Sequence, residues 1–359
     1  MLLAPLIWLV ATYASVSAVS IDQQTSQAAA LQFEFFLQAP GNCLISHTDL
    51  SPSAPSKNLA ALWIRAAFHD SGTWDPSNVL ASGGPFANLP GFLNVAENAG
   101  LEDSLAPRFL HNTQINISKA DSIALAGLVS VTHCGGPSIP YSPGRVDTTT
   151  PVSPVGRLPE GHERYLTVKP KLLRMGWTNQ DIVALVTGSH TMGGVHGAIS
   201  PLVTNKTFVP FDLTPGVFDN DVFKRVLQGI CAVPVDCDIA NDPELRPIVQ
   251  LYATDQQAFF KQYATSFAKL ISQGTRLGPS ISLVIDVHNN LMAEGTTDAL
   301  GNPLIPGTNG SASGKTGPST KSSSPASLVI RDTKSWIERT VMTTVVWVSA
   351  VGILSSMYS

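Results

Sequence analysis

Apolar residues recur at helical spacing through much of this chain, whereas the apolar–polar alternation typical of strands is scarce. Apolar positions fall three and four residues apart within 56–70, and aromatic side chains form one stripe within 258–271. A further amphipathic helix is indicated at 220–230. Ser118 and Thr178 are each followed three residues later by Asp, a spacing typical of capped helix starts. The pattern predicts a mainly α fold with substantial loop content.

The chain has 359 residues, which is enough for one large domain or two smaller ones. We expect a leader peptide at 1–18, one folded domain at 19–301, a stalk rich in Gly, Ser, Thr and Pro at 302–335, and a hydrophobic tail at 336–359. The formal net charge of −4 argues against a nucleic-acid binder.

Both ends of the chain carry apolar runs. The first 18 residues end in small side chains and indicate a secretory signal, with a core helix or a membrane anchor as the alternative. The run at 341–358 indicates a tail removed on attachment of a GPI anchor, or a plain membrane-spanning anchor. Asn116, Asn205 and Asn309 begin glycosylation sequons. We therefore expect a secreted glycoprotein, retained at the outer cell surface by membrane attachment through its tail.

Three side chains could carry chemistry. Arg65 and His69 are four residues apart on an otherwise apolar helix and so share one face. A cation and a titratable base are costly to place together on such a face. The alternative is a surface Arg beside a His whose hydrogen bonds are satisfied. His190 ends another apolar helix, where it could bind a metal or simply interact with the helix dipole.

Four short motifs follow one another along the chain. Arg-Ala-Ala-Phe-His-Asp lies at 65–70, Cys-Gly-Gly-Pro at 134–137, Pro-Gly-Arg at 143–145 and Gly-Ser-His-Thr at 188–191. Over roughly residues 42–274, the chain resembles the superfamily of plant, fungal and bacterial haem peroxidases, with features of the secreted fungal class II and of class I. The resemblance implies a two-lobed helical fold with haem b between the lobes.

On the proximal side, the resemblance makes His190 the ligand of the haem iron. Asp236 matches the buried carboxylate that accepts a hydrogen bond from the other ring nitrogen, and Asp238 and Asp242 are nearby alternatives. Such a carboxylate gives the imidazole anionic character and stabilises high-valent iron.

On the distal side, the resemblance implies that His69 takes a proton from hydrogen peroxide and returns it to the leaving oxygen. Arg65 would stabilise the developing negative charge, and Asn98 would hold the distal His in its working tautomer. The enzyme would reduce peroxide to water through an oxo-iron(IV) intermediate and oxidise donors in one-electron steps. Asp70 matches one ligand of a distal calcium site, but a further acidic ligand is missing, which leaves that site doubtful.

A proximal calcium site also follows from the resemblance. Its ligands would be Thr191, Asp212, Thr214, the carbonyl of Val217, and Asp219. Carboxylates with hydroxyl and carbonyl oxygens suit a hard cation. The alternative is a capped loop in which Asp219 begins a helix.

The four cysteines allow two disulfides in an oxidising compartment. The resemblance pairs Cys43 with Cys134, which leaves Cys231 with Cys237; sequence alone does not exclude other pairings.

The haem surroundings mix two classes. His196 stands where class I peroxidases place a His against a haem propionate, whereas Phe68 and Phe211 match the secreted fungal type.

Specialised donor sites are missing. Leu62 and Asn58 occupy the positions of manganese-binding acids, Leu185 that of a surface tryptophan, and Ile199 that of the arginine that binds ascorbate. We therefore expect a monomeric peroxidase that oxidises small phenolic donors. The alternative is a non-catalytic or peroxide-sensing surface protein on the same fold.

Overall fold

A computed structural model describes most of the predicted domain. The described residues are 23–38, 43, 58–78, 82–105 and 115–287. All of them belong to the unit formed by residues 1–305. The predicted leader, stalk and tail, and the sequon at Asn309, lie outside the described residues, so these predictions stay open.

The described chain is mainly helical, which confirms the predicted mainly α class; the two-lobed arrangement stays a prediction. Its helices are α1 at residues 23–37, α2 at Leu59–Ser71, α3 at Lys119–His133, α4 at Tyr165–Arg174, α5 at Asn179–Ile182, α6 at Asp221–Leu227, α7 at Pro234–Asn241, α8 at Arg246–Thr254 and α9 at Gln256–Leu270. Short 3₁₀ turns cover Leu89–Gly91, Ala96–Asn98 and Glu102–Leu105. Strands β1 (Gly194–Val195) and β2 (Val209–Pro210) pair antiparallel, with Gly194 opposite Pro210.

Helix α2, which carries Arg65 and His69, packs closely on α3. A Cβ atom added to Gly127 of α3 would lie 2.8 Å from the Cβ of Ala67, so the missing side chain allows the two helices to approach. The side chain of Asn58 caps α2 by accepting a hydrogen bond from the backbone N–H of Ala61 at 3.0 Å. The cap and the packing fix the helix that presents the distal pair.

The segment that ends at His190 changes its helix type twice. Thr178 and Asp181 form the predicted capping box at the start of α5. The chain then continues as a π-helical turn at Val183–Thr187 and a 3₁₀ turn at Gly188–Thr191. Apolar periodicity predicted one helix here and could not show these changes of hydrogen-bonding register.

The aromatic stripe of α9 lies in the core, as predicted. Phe259 and Tyr263 are fully buried, and their rings lie 5.8 and 4.7 Å from that of Phe218. The sequence patterns did not predict α1, α4, α7 and α8. Three of these helices contain proline: Pro234 and Pro247 stand in the first turns of α7 and α8, and Pro170 lies inside α4.

Two disulfides close the described fold. Cys43 is bonded to Cys134 and Cys231 to Cys237, which are the pairs that the resemblance implied. The second disulfide spans the start of α7, beside Asp236. None of the helices among the described residues is long and apolar enough to cross a membrane.

Candidate functional site

The distal pair forms a direct hydrogen bond on α2. The Arg65 Nε–H group donates to His69 Nε2 at 3.2 Å. The remaining guanidinium nitrogens donate to the carbonyl oxygens of Ala99 at 2.8 Å and Glu97 at 2.9 Å. These carbonyls fix the guanidinium against the base. Because His69 Nε2 accepts a hydrogen bond, its ring proton is placed on Nδ1.

An amide holds the other nitrogen of His69. Nδ1 of His69 donates to Oδ1 of Asn98 at 2.8 Å, and the Asn98 amide nitrogen donates to the carbonyl oxygen of Phe92 at 2.9 Å. The bond to Phe92 fixes the amide so that its oxygen faces His69. The ring of Phe68 packs edge-on against that of His69, with 5.3 Å between their centroids.

Burial keeps this base neutral. The pKa of His69 lies well below its usual value, first because the ring is buried and second because Arg65 is cationic; the hydrogen bond to Asn98 raises this pKa in part. Burial also lowers the pKa of Arg65 to about 10, so Arg65 stays charged at neutral pH. The pair is thus a cation beside a neutral base.

Asp70 anchors the segment that leads to Asn98. Its two carboxylate oxygens accept backbone N–H groups of Ala87 at 3.0 Å and Leu89 at 2.9 Å. Burial raises the pKa of Asp70 to about 7, against the lowering effect of these hydrogen bonds. This geometry gives Asp70 a structural role, while a distal calcium remains without support.

The proximal group is built around a buried carboxylate. His190 Nδ1 donates to Asp236 Oδ2 at 2.8 Å, and the Thr187 hydroxyl donates to Asp236 Oδ1 at 2.9 Å. Phe211 lies almost parallel to the imidazole, with ring centroids 4.2 Å apart. Asp238, one of the alternatives, instead forms an ion pair with Arg164.

The chemistry of these side chains fits a haem group. The side chain of Asp236 is 2% accessible and that of His190 is 26% accessible. Because Nδ1 is held by the carboxylate, Nε2 is the nitrogen left to bind iron. The rings of Phe68 and Phe211 beside the two histidines suit a flat apolar macrocycle. His196 lies beyond β1 with its ring against Phe208, at 4.9 Å between centroids.

Three of the expected calcium ligands contact the hydroxyl of the fourth, Thr191, and the fifth, Thr214, contacts Asp219. Thr191 Oγ1 is 2.9 Å from Asp212 Oδ2 and 3.3 Å from both Asp219 Oδ1 and the carbonyl oxygen of Val217. Thr214 Oγ1 donates to Asp219 Oδ2 at 2.9 Å. Backbone N–H groups of Thr214 and Asp221 donate to Asp212 Oδ1 at 2.9 Å and Asp219 Oδ1 at 2.7 Å.

Burial and mutual repulsion act against the charged forms of the two carboxylates in this cluster. Burial raises the pKa of Asp212 well above its usual value, and the neighbouring charge of Asp219 raises it further. Burial likewise raises the pKa of Asp219. A group of three or more His, Cys, Asp or Glu suited to a metal does not occur among the described residues. Any cation here would therefore depend on hydroxyl and carbonyl oxygens as well.

Of the three predicted glycosylation sites, two lie in the described part of the chain. Asn116 and Asn205 are both exposed. The hydroxyl of Ser118 in the first sequon accepts the backbone N–H of Asp121 as the cap of α3. Their glycosylation stays a prediction.

Sequence reasoning missed two parts of the site. The carbonyls of Glu97 and Ala99 that hold Arg65 are backbone groups and leave no sequence signal. The sequence does carry a signal for Thr187, because this residue stands three positions before His190 and so lies on the same side of a helix.

Comparison with known proteins identifies the family. The model of the peroxidase family matches residues 48–255. The chain is 38% identical over 228 residues to L-ascorbate peroxidase 1, cytosolic, of Oryza sativa subsp. japonica, covering 61% of this chain and 87% of that protein. It is 35% identical over 233 residues to L-ascorbate peroxidase 5, peroxisomal, of Arabidopsis thaliana, covering 63% and 80%. The chain therefore belongs to the peroxidase family, within the haem peroxidase superfamily. It is an oxidoreductase that acts on hydrogen peroxide and uses haem.

The same comparison corrects the expected location. Relatives are named as cytosolic or peroxisomal enzymes, which contradicts a secreted protein held at the outer cell surface. The expectation rested on short apolar runs at the chain ends, and hydropathy alone does not distinguish a leader or anchor from other apolar segments. Secretion, a GPI anchor and membrane attachment are unsupported, and a non-catalytic surface protein is not favoured.

Proposed function

We propose that His69 is the general base and acid of peroxide cleavage, and that Arg65 stabilises the negative charge that develops on the departing oxygen. One observation carries this proposal: His69 Nε2 faces the guanidinium while Nδ1–H is held by Asn98. Nε2 can therefore accept a proton beside a fixed cation and return it. The low pKa of His69 supports this role, because the ring is neutral at physiological pH.

We place the haem iron on Nε2 of His190, with Asp236 as the carboxylate that holds Nδ1. Haem, when bound, supplies the metal that activates peroxide and accepts electrons from donors. The protein orients the ligand: Asp236 fixes the tautomer, and Phe211 supports the ring face at 4.2 Å. Thr191, the residue after His190, belongs to the oxygen cluster described above, and we propose that this cluster binds calcium.

For the electron donor, we propose small neutral phenols rather than an anionic donor. Ile199 stands where the resemblance expects an ascorbate-binding arginine. Two methyl groups of Ile199 would lie 3.0 and 3.1 Å from a Cβ atom added to Gly100. Ile199 therefore packs beside the segment whose Ala99 carbonyl oxygen accepts a hydrogen bond from Arg65. Residues 196–203 contain no acidic residue, lysine or arginine. An anion would find no permanent cation from this segment. Ascorbate is the second candidate, because the relatives are named for it.

A direct donor comparison tests the proposal. The haem-loaded protein is assayed with guaiacol and with ascorbate at fixed peroxide, in the native chain, in Ile199→Arg and in Ile199→Leu as the size-matched control. We expect the native kcat/KM to favour guaiacol. Ile199→Arg should raise kcat/KM for ascorbate by about fivefold, since a new cation near an anion in water is worth about 1 kcal/mol. A native preference for ascorbate, unchanged in both variants, would contradict the phenolic assignment.

A further inference from the structure

The carboxylate of Asp236 has a different partner on each oxygen. Oδ2 accepts the imidazole N–H of His190 at 2.8 Å, and Oδ1 accepts the hydroxyl of Thr187 at 2.9 Å. The side chains of Thr187 and Asp236 are both buried, with 0% and 1% of each residue accessible. In this setting a hydrogen bond is stronger than in water, and an unpaired carboxylate oxygen is costly. The Thr187 hydroxyl is therefore a significant part of the charge balance at Asp236.

The change of helix type brings Thr187 and His190 to one carboxylate. Thr187 is the last residue of the π-helical turn, and His190 lies in the 3₁₀ turn that follows. Side chains three residues apart lie on the same side of an α-helix and are aligned more closely in a 3₁₀ helix. Both side chains therefore reach Asp236, which stands in the first turn of α7.

Within the described part of the chain, no third side chain donates a hydrogen bond to Asp236. Phe211 covers one face of His190 but has no N–H or O–H group. Among the hydrogen bonds of the described residues, those from His190 and Thr187 are the side-chain bonds made to Asp236. The strength with which Asp236 attracts the His190 proton therefore depends on one hydroxyl.

We infer that Thr187 is a positioning residue that limits the negative charge Asp236 delivers to His190 and thereby sets the electron donation from the imidazole to the haem iron. A donor on Oδ1 withdraws charge from the carboxylate and weakens its pull on the Nδ1 proton. Without the hydroxyl, the imidazole becomes more anionic and a stronger donor to iron. The inference rests on the proposed role of His190 as iron ligand.

The test compares haem-loaded variants by two measurements that do not depend on turnover. Thr187→Val removes the donor at similar volume, and Thr187→Ser keeps it. Thr132→Val is the matched control. Thr132 lies on α3 and is also buried, but its hydroxyl donates to the carbonyl oxygen of Pro137 rather than to Asp236. We expect Thr187→Val to shift the Fe(III)/Fe(II) midpoint potential to more negative values and to raise the iron–imidazole stretching frequency in resonance Raman spectra. Thr187→Ser and Thr132→Val should match the native protein.

The outcomes separate this inference from the function on which it rests. Equal potentials and frequencies in Thr187→Val and the native protein, or shifts of the opposite sign, would overturn the role of Thr187 alone. Absence of an iron–imidazole band from the native protein, or its persistence in His190→Ala, would overturn the ligand assignment and the inference with it. Thr187→Ala is a second hydroxyl-free variant in case branched valine disturbs the turn, and it should give the same two shifts.

Discussion

Replacement of Arg65 by Gln should move the pH dependence of peroxide cleavage toward higher pH. The rate of reaction with peroxide needs neutral His69, so it rises as pH passes the pKa of that ring. Arg65 lowers this pKa because a cation beside the ring disfavours the imidazolium. Arg65→Gln removes the charge but keeps an N–H donor for the carbonyls of Ala99 or Glu97.

The size of the effect follows from the short contact between the two side chains. The Nε atom of Arg65 lies 3.2 Å from His69 Nε2, which places the two charge centres about 4 Å apart in the protonated state. Two unit charges at this separation interact by about 4 kcal/mol at an effective dielectric constant of about 20, and by about 1 kcal/mol in water. Since about 1.4 kcal/mol corresponds to one pKa unit, the pKa of His69 should rise by about one to three units in Arg65→Gln. The acid limb, which is the part of the pH–rate profile where the rate increases with pH, should move to higher pH by the same amount.

Stopped-flow measurement of the second-order rate with peroxide, from acidic to neutral pH, gives both the plateau and the acid limb. In Arg65→Gln we also expect the plateau to fall by about 10- to 100-fold, because a hydrogen bond from a charged group is worth about 1.5–3 kcal/mol. Arg65→Lys is the control that keeps the charge: its plateau should fall while its acid limb stays close to the native position. An acid limb that is unchanged in Arg65→Gln, or that moves to lower pH, would refute the electrostatic coupling.

Four further outcomes follow from the same geometry. Asn98→Leu should shift the acid limb to lower pH, opposite to Arg65→Gln, because the hydrogen bond that His69 Nδ1–H donates to the Asn98 oxygen raises the pKa of His69; a shift upward in the same assay would contradict this. Chelation of calcium should lower the melting temperature of the native protein, and Asp219→Asn should reduce that response, whereas equal responses would argue against the cation. Loss of the disulfide in the double variant Cys231→Ser, Cys237→Ser should lower the free energy of urea unfolding by about 2 kcal/mol, the loop entropy of a short ring; no change would contradict this estimate. Finally, the pKa of Asp70 is raised to about 7 from 3.8, so the folded state binds more protons than the unfolded state between these values. Stability should therefore fall as pH rises from about 4 to about 7, by at most about 4 kcal/mol, and Asp70→Asn should reduce this slope in pH-dependent unfolding.

Much of the fold could be predicted from local patterns. Apolar spacing located α2, α6 and α9, and capping residues at Ser118 and Thr178 marked the starts of α3 and α5. The helices that escaped prediction include those with proline in the first turn or interior, where a proline weakens the apparent helical signal although the first turn tolerates it.

The candidate site was less evenly predictable. Arg65 and His69 are linked by their spacing on one helix, so sequence alone could suggest their contact. The contact of His190 with Asp236, 46 residues later, required the family resemblance. The contributions of Ala99 and Glu97 depend on backbone carbonyls. The spacing of Thr187 and His190 indicates a shared side of a helix, but the contact of Thr187 with Asp236 is not visible in it. Such features follow from tertiary packing and hydrogen-bonding register, which residue types do not encode locally.

The two histidines differ in the partner that holds Nδ1, and this difference matches the tasks that we propose for them. Asn98 offers His69 a neutral oxygen, which fixes the tautomer but adds no negative charge; with Arg65 nearby, the ring remains a weak base that can take a proton and release it. Asp236 offers His190 a carboxylate, which adds negative charge to the ring and favours electron donation to iron. Exchange of these partners should therefore impair both sides: a carboxylate at position 98 would hold His69 protonated, and an amide at position 236 would weaken the iron ligand. The division of labour thus depends on the partners of the two imidazoles, and Thr187 adjusts the anionic one.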